Sequence, residues 1–167
     1  LGQTSLAITD HGAMFGVMDF YFECQKQGIK PILGMEAYVA PQGHLLKEGR
    51  AENQTYHLLL LAKNLEGYQN LCRLHTIAAL QGFYYKPRID HQLLRDHAKG
   101  LIGSTTCLGS EVNQLLLEDR YEDAKERAAM YRDIFDEGSY FVELQDHRLP
   151  EQAKCNEGLI RLGHELK

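Results

Sequence analysis

Hydrophobic and polar positions along the chain alternate between two rhythms. Leu6-Ala7-Ile8-Thr9 is a short apolar run of the kind a strand buried on both faces requires, and it ends abruptly on Asp10, His11 and Gly12. From about Met14 to Gln27 the spacing turns helical and is closed by Gly28, and Lys30 to Ala40 reads as a second strand. Strand, helix and strand at this length predict a parallel, right-handed crossover. A polar loop from Gln42 to Thr55 leads to a third strand, Tyr56–Ala62, and then to a helix from Leu65 to about Gln81.

The second half repeats the alternation. After the aromatic and basic connector GFYYKPRID, residues 82–90, come a short helix near His91–His97 and a strand from Leu101 to Thr105 that runs into Thr106 and Cys107. Two helices fill Glu111 to Phe135, SYFVELQDH over residues 139–147 predicts a fifth strand, and a helix follows from Glu151. Five strands alternate with helices and none of the turns has hairpin chemistry, which predicts an α/β fold with a parallel sheet of the kind that closes into barrels. No internal repeat and no low-complexity segment interrupts the pattern. Residue 1 is Leu, and NEGLIRLGHELK, ending on Lys167, reads as an unfinished amphipathic helix. Residues 1–167 are therefore expected to be an interior fragment of one domain in a longer chain.

Composition narrows the function classes. With 167 residues, 44% hydrophobic and 25% charged, the chain is one globular domain's worth. A formal charge of -5 argues against this piece alone gripping nucleic acid, because phosphate binding needs an excess of Lys and Arg. Cys24, Cys72, Cys107 and Cys155 are scattered without CxxC spacing, so reduced thiols and a cytoplasmic location are expected. No apolar run reaches the roughly 18 residues of a membrane span.

In a parallel α/β fold, chemistry collects where strands end, since those loops share one edge. His11 follows the first strand, Glu36 lies in the second, His57 opens the third and Cys107 follows the fourth. Imidazole nitrogen, carboxylate oxygen and thiolate sulfur form a mixed donor set that suits zinc and also manganese or iron. The period of two places Ile32, Gly34, Glu36 and Tyr38 on one face, and a carboxylate among apolar neighbours needs a partner, which a cation supplies. Against this, strand histidines are commonly only hydrogen-bonded and buried cysteines inert.

Phe83, Tyr84, Tyr85, Lys86 and Arg88 form a strip suited either to DNA, by stacking and phosphate contact, or to packing against a neighbouring domain, and Pro87 makes it a rigid connector. Asp146 and His147 occupy a strand-end position that is a second functional address. His44, His75, His91, His97 and His164 are expected in solvent, and Cys24, Cys72 and Cys155 are expected to be structural.

The strings LAITDHGAMFG, GIKPILGMEAYVAP, YHLLLLAKNLEGYQNL, GFYYKPRID, CLGSEV and FVELQDH, in this order, resemble the PHP (polymerase and histidinol phosphatase) domain family. The GFYYKPRID block resembles its branch in bacterial replicative DNA polymerase III alpha subunits. The resemblance covers essentially the whole chain. It implies a distorted (β/α)7 barrel with up to three divalent ions at its mouth, here incomplete because the first and last strands would lie outside the chain. His11, Glu36, His57 and Cys107 match the family's ligand positions, and Asp10 would orient its neighbour or the loop. The family's first motif, His-x-His, would precede residue 1, and its last, Asp-x-His, would follow Lys167. Arg148 stands after Gln145-Asp146-His147 where the family more often has Gly.

The resemblance implies a part in DNA replication within a DNA-directed DNA polymerase, a nucleotidyltransferase, whose polymerising site lies elsewhere. Its PHP site would lower the pKa of a water and attack a phosphodiester, as a 3'-to-5' proofreading exonuclease. The isolated fragment would be inactive. A second implication is a catalytically silent module that stabilises the polymerase and docks a separate proofreading subunit. A free-standing phosphoesterase such as histidinol phosphatase fits the chemistry but not the GFYYKPRID block.

Overall fold

The computed structural model describes residues 1–47 and 54–166. The middle of the expected polar loop, residues 48–53, and Lys167 at the end of the expected last helix lie outside the described residues. The elements in chain order are β1 (Ser5–His11), α1 (Val17–Lys26), β2 (Lys30–Val39), β3 (Tyr56–Ala62), α2 (Leu65–Leu80), β4 (Arg88–Ile89), α3 (His91–His97), β5 (Leu101–Ser104), α4 (Glu111–Leu117), α5 (Tyr121–Arg132), β6 (Tyr140–Phe141) and α6 (Pro150–Glu165). Side chains cap three of the helices: Asn64, Asp90 and Ser110 accept from the backbone N–H three residues on, at 2.9, 2.8 and 3.2 Å. Each such cap contributes about 1 kcal/mol.

One sheet runs in the order β1-β2-β3-β5-β6, with β4 paired to β2 beside that path. β1 and β2 are parallel, as are β2 and β4 and β5 and β6. β3 is antiparallel to both of its neighbours, β2 and β5. The sheet is thus mixed, which corrects the expectation of purely parallel strands. The difference has a physical source. A tight hairpin advertises itself through turn residues, whereas β2 and β3 are joined by residues 40–55, long enough to reverse the chain without any such signature.

Two other expectations change. The fifth strand pairs only at Tyr140 and Phe141. Beyond them side chains take over: Glu143 N–H donates to Thr105 Oγ1 at 2.8 Å, and Ser104 Oγ donates to the Glu143 carboxylate at 2.6 Å. β1 is an edge strand with Leu6 46% exposed, rather than a strand buried on both faces. The connector supplies a further short strand, β4, which occupies the β2 edge beyond the end of β1.

The alternation of each strand divides the sheet into two unlike faces. Met35, Ala37, Val39, Leu58 and Leu60 are at most 2% exposed and pack with Leu71 and Leu74 of α2 and Leu159 and Leu162 of α6 in one core. The other face carries Glu36, Tyr38, His57 and Leu59, all only partly buried.

Arg88 opens β4 with no exposed surface, contradicting the expectation that it contacts DNA or another domain. Its guanidinium donates to the Gly82 carbonyl at 3.0 Å, to the His44 carbonyl at 3.0 Å and to the Leu46 carbonyl at 2.6 Å. It ties the connector to the segment after β2. Arg88→Ala strips three carbonyls of their donor and is expected to cost about 3 kcal/mol or more; urea denaturation followed by circular dichroism reads this as a lowered midpoint.

Candidate metal centre

The register of the strands builds the site. β1 pairs with β2 so that His11 lies beside Glu36, and β3 pairs with β2 so that His57 lies opposite Tyr38. Glu36 and His57 are therefore diagonal neighbours on one face, within reach of each other. Because β3 is reversed, its first residues stand at the edge where β1, β2 and β5 finish.

Cys107 reaches the same place from the turn after β5. Thr106 adopts a left-handed backbone, φ 44. His57 N–H donates to the Gly109 carbonyl at 2.9 Å, and Asn113 Nδ2 donates to the Cys107 carbonyl at 2.8 Å, so the turn is pinned to β3 on one side and to α4 on the other. Gly109 lies against the His57 ring. A Cβ there would stand 3.0 Å from Nδ1 and 3.2 Å from Cγ, tight enough that the ring would have to give by a few tenths of an ångström.

Glu36, His57 and Cys107 each direct a ligand atom into one small volume, all within 4.8 Å of one another. His57 Nδ1 is 2.5 Å from Glu36 Oε1 and 3.2 Å from Cys107 Sγ, and Sγ is 3.8 Å from the same carboxylate oxygen. His11 stands outside this trio. Its Nδ1 faces the other oxygen, Glu36 Oε2, at 3.2 Å, and its side chain is 67% exposed. Glu36 thus presents each of its oxygens to a different imidazole. The hydrogen bonds from Cys107 and Glu36 push the His57 imidazole up to about 9, and the His57 contact holds the Glu36 carboxyl below its ordinary range despite burial. Oxygen, nitrogen and sulfur donors at this spacing suit a divalent cation, and the thiol favours zinc or iron over the hard ions magnesium and calcium.

Asp10 points elsewhere: its carboxylate accepts from Gly16 N–H at 3.0 Å and so holds the loop that leads into α1. Asp146 and His147 are exposed and are not brought to the trio. Asp146 Oδ1 accepts from the Arg148 N–H at 2.9 Å, and His147 N–H donates to Gln152 Oε1 at 2.7 Å, at the start of α6. In the connector, Tyr85 is 78% exposed while Tyr84 is partly buried.

Two imidazoles expected in solvent are paired instead. His44 Nδ1 lies 2.5 Å from Asp90 Oδ2, and His91 Nε2 lies 3.0 Å from Glu111 Oε2, which also accepts from the buried Tyr131 hydroxyl at 3.0 Å. Long sequence separation hid both pairs.

The match to the model of the PHP domain spans residues 1–147. The chain belongs to the PHP domain family. Over 99% of its length it is 51% identical to the DNA polymerase III subunit alpha of Deinococcus radiodurans and 46% identical to that of Treponema pallidum. It is 48% identical to the Thermus aquaticus subunit over 93% of its length. The chain spans 13–14% of the length of these relatives. Among the described residues, no helix of this PHP domain is long and apolar enough to cross a membrane.

The neighbours of the trio were harder to find by reading than the trio itself. Tyr38 stands edge-on to His57 with ring centroids 5.3 Å apart, and Gly109 backs the same ring. Tyr38 shares the period-two face with Glu36, which was a usable signal, whereas Gly109 carried none.

Three outcomes follow from this geometry. His57 must lose its Nδ1 proton and Cys107 its thiol proton to act as ligands, so zinc affinity of the PHP site is expected to rise with pH, by up to about tenfold per pH unit for each proton displaced, with the His57 contribution ending above about pH 9; zinc titrations across that range check it. In the metal-free protein the signs are opposed. The raised His57 value stabilises the fold fully below 6.5 and is lost as pH rises through about 9, while the lowered Glu36 value stabilises above 4.5 and is lost on acidification. Metal-free stability at this pair is therefore greatest between pH 4.5 and 6.5. Gly109→Ala, which crowds the His57 ring, is expected to weaken zinc binding by no more than about 10-fold, the lower end of the effect of disturbing a ligand's surroundings, measured by competition with a chromogenic chelator.

Proposed function

We propose that this chain is an interior portion of the PHP domain of a bacterial DNA polymerase III alpha-type subunit that serves DNA replication, and that its metal centre hydrolyses phosphodiester bonds as a 3'-to-5' exonuclease. The convergence of Glu36, His57 and Cys107 on one point carries this reading. The sheet would form part of a distorted (β/α)7 barrel completed by residues outside the chain. Glu36, His57 and Cys107 would hold a divalent ion, zinc, manganese or iron, with His11 beside them, in a cluster of up to three. Bound ions supply Lewis acidity, lowering the pKa of water and neutralising charge on phosphate oxygens.

The protein's own groups then have distinct tasks. Glu36 supplies negative charge and holds both imidazoles in orientation. His57 and Cys107 surrender their protons on binding and act as ligands rather than as general bases. Gly109 and Asn113 set the angle at which Cys107 arrives. Asp10 fixes the loop behind His11.

A second reading, a module that stabilises the polymerase and docks other domains or a separate proofreading subunit, is favoured by one observation. Phe15, Met18 and Phe22 are 88, 52 and 59% exposed on or beside α1, spaced so as to form an apolar stripe.

Elemental analysis of the full-length protein beside its His57→Ala and Cys107→Ala variants separates the two. The hydrolytic reading expects both variants to lose bound metal and to lose nuclease activity on a single-stranded 3' end by about 100-fold or more, with polymerisation retained. Metal content and nuclease rate unchanged by both substitutions would leave the docking module.

A further inference from the structure

The connector after α2 brings a cation to the rim of the metal centre. Tyr84 N–H donates to the Lys86 carbonyl at 3.0 Å, and Tyr85 between them takes φ 58, forming a tight turn. The turn is anchored on both sides. Arg88 is buried and spends its guanidinium on backbone carbonyls, as described above. Pro87 packs so closely on Gly12, the residue after His11, that a Cβ at Gly12 would lie 2.9 Å from its ring. Lys86 is therefore held at a defined place rather than on a free loop.

Its side chain extends over Tyr38, with Nζ 4.4 Å from the ring centroid, and Tyr38 in turn stands edge-on to His57 at 5.3 Å. Two successive contacts thus link the ammonium to the metal centre. Among the described residues, no carboxylate pairs with Lys86. An ammonium held only by an aromatic face keeps its three donors available to an anion, and a phosphate oxygen is a far stronger partner than the ring.

We propose that Lys86 is a substrate-binding residue: its ammonium takes a non-bridging oxygen of a DNA-strand phosphate next to the bond presented to Glu36, His57 and Cys107, while Tyr38 holds the side chain on that side. The inference rests on the reading of this centre as a phosphodiesterase. It supplies the positive charge that the acidic chain as a whole lacks, at the one place where the strand must be gripped. The connector's other cation, Arg88, is committed to the fold. The grip is electrostatic and blind to base identity, as an enzyme acting on any 3' end requires.

The test uses the full-length protein loaded with zinc or manganese, as wild type, Lys86→Gln and Lys86→Arg. Lysine acetylation mapped by mass spectrometry is followed at Lys86, with Lys154 as an internal reference, alone and with a phosphorothioate single-stranded trinucleotide or thymidine 5'-monophosphate. The trinucleotide is expected to slow modification of Lys86 and not of Lys154, and the monophosphate to protect less. In nuclease assays Lys86→Gln is expected to raise KM with little change in kcat. The salt dependence of log KM should also become shallower by about 0.7, the loss of one phosphate contact on a single strand, and Lys86→Arg should restore both.

A purely structural lysine would leave the salt slope untouched. Unprotected Lys86, or a Lys86→Gln variant with unchanged KM and salt slope, overturns the proposal. Equal protection by the monophosphate also overturns it, assigning Lys86 to small phosphate esters instead of a strand. Protection of Lys86 by the trinucleotide in a wild-type protein without nuclease activity would sustain the phosphate contact and sink the hydrolytic reading alone.

Discussion

A strand laid antiparallel between two others delivers its first residue to the edge where its neighbours end, and the whole site depends on β3 doing this. His57 is the second residue of that strand. Were β3 parallel, His57 would stand at the opposite edge of the sheet from His11 and Cys107, and Glu36 would have no imidazole diagonal to it. The reversal also explains the inventory of loops. The turn carrying Cys107 can bond to the backbone of His57 only because the end of β5 and the start of β3 lie at one edge.

The connector solves a different problem, how to bring a polar, aromatic segment across the same edge without flexibility. Its rigidity comes from inside the protein. A guanidinium buried beneath it gathers the Gly82 carbonyl at the start of the connector and the His44 and Leu46 carbonyls of one segment over forty residues away in sequence. The cost of burying that charge is offset by the hydrogen bonds, and the arrangement turns a surface-looking motif into part of the fold. This is why Arg88 and Lys86, two residues apart, have opposite fates: one faces the carbonyls below and the other the tyrosine of β2.

Much of this was open to reading from the residues. The extents of β3 and α3 match the apolar spacing to the residue, and β2, α2 and β5 to within one, because each has a clean period and a clear stop. Strand direction was not readable, since nothing in residues 40–55 distinguishes a return from a crossover. Cys107 is legible by residue type and its place after a strand, and Glu36 by residue type on the period-two face, whereas His57 opens its strand and reaches the shared edge only because of that strand's direction. It begins a strand that runs backwards. The pairing of His91 with Glu111 and the burial of Arg88 were out of reach, because both depend on partners brought together only by the packing of helices and connector. A basic residue beside tyrosines has the composition of a contact strip whether or not it points outward, so the burial of Arg88 leaves no mark in the sequence.

The two faces of the sheet do separate work. Met35, Ala37, Leu58 and Leu60 look toward the helices, while Glu36 and His57, interleaved with them, look the other way and touch none of that core's business. Chemistry and architecture are written on alternate letters of the same strands. Substitution of the donors therefore leaves the apolar side of the same strands in place, so the pleat that presents this site does not depend on which side chains it presents.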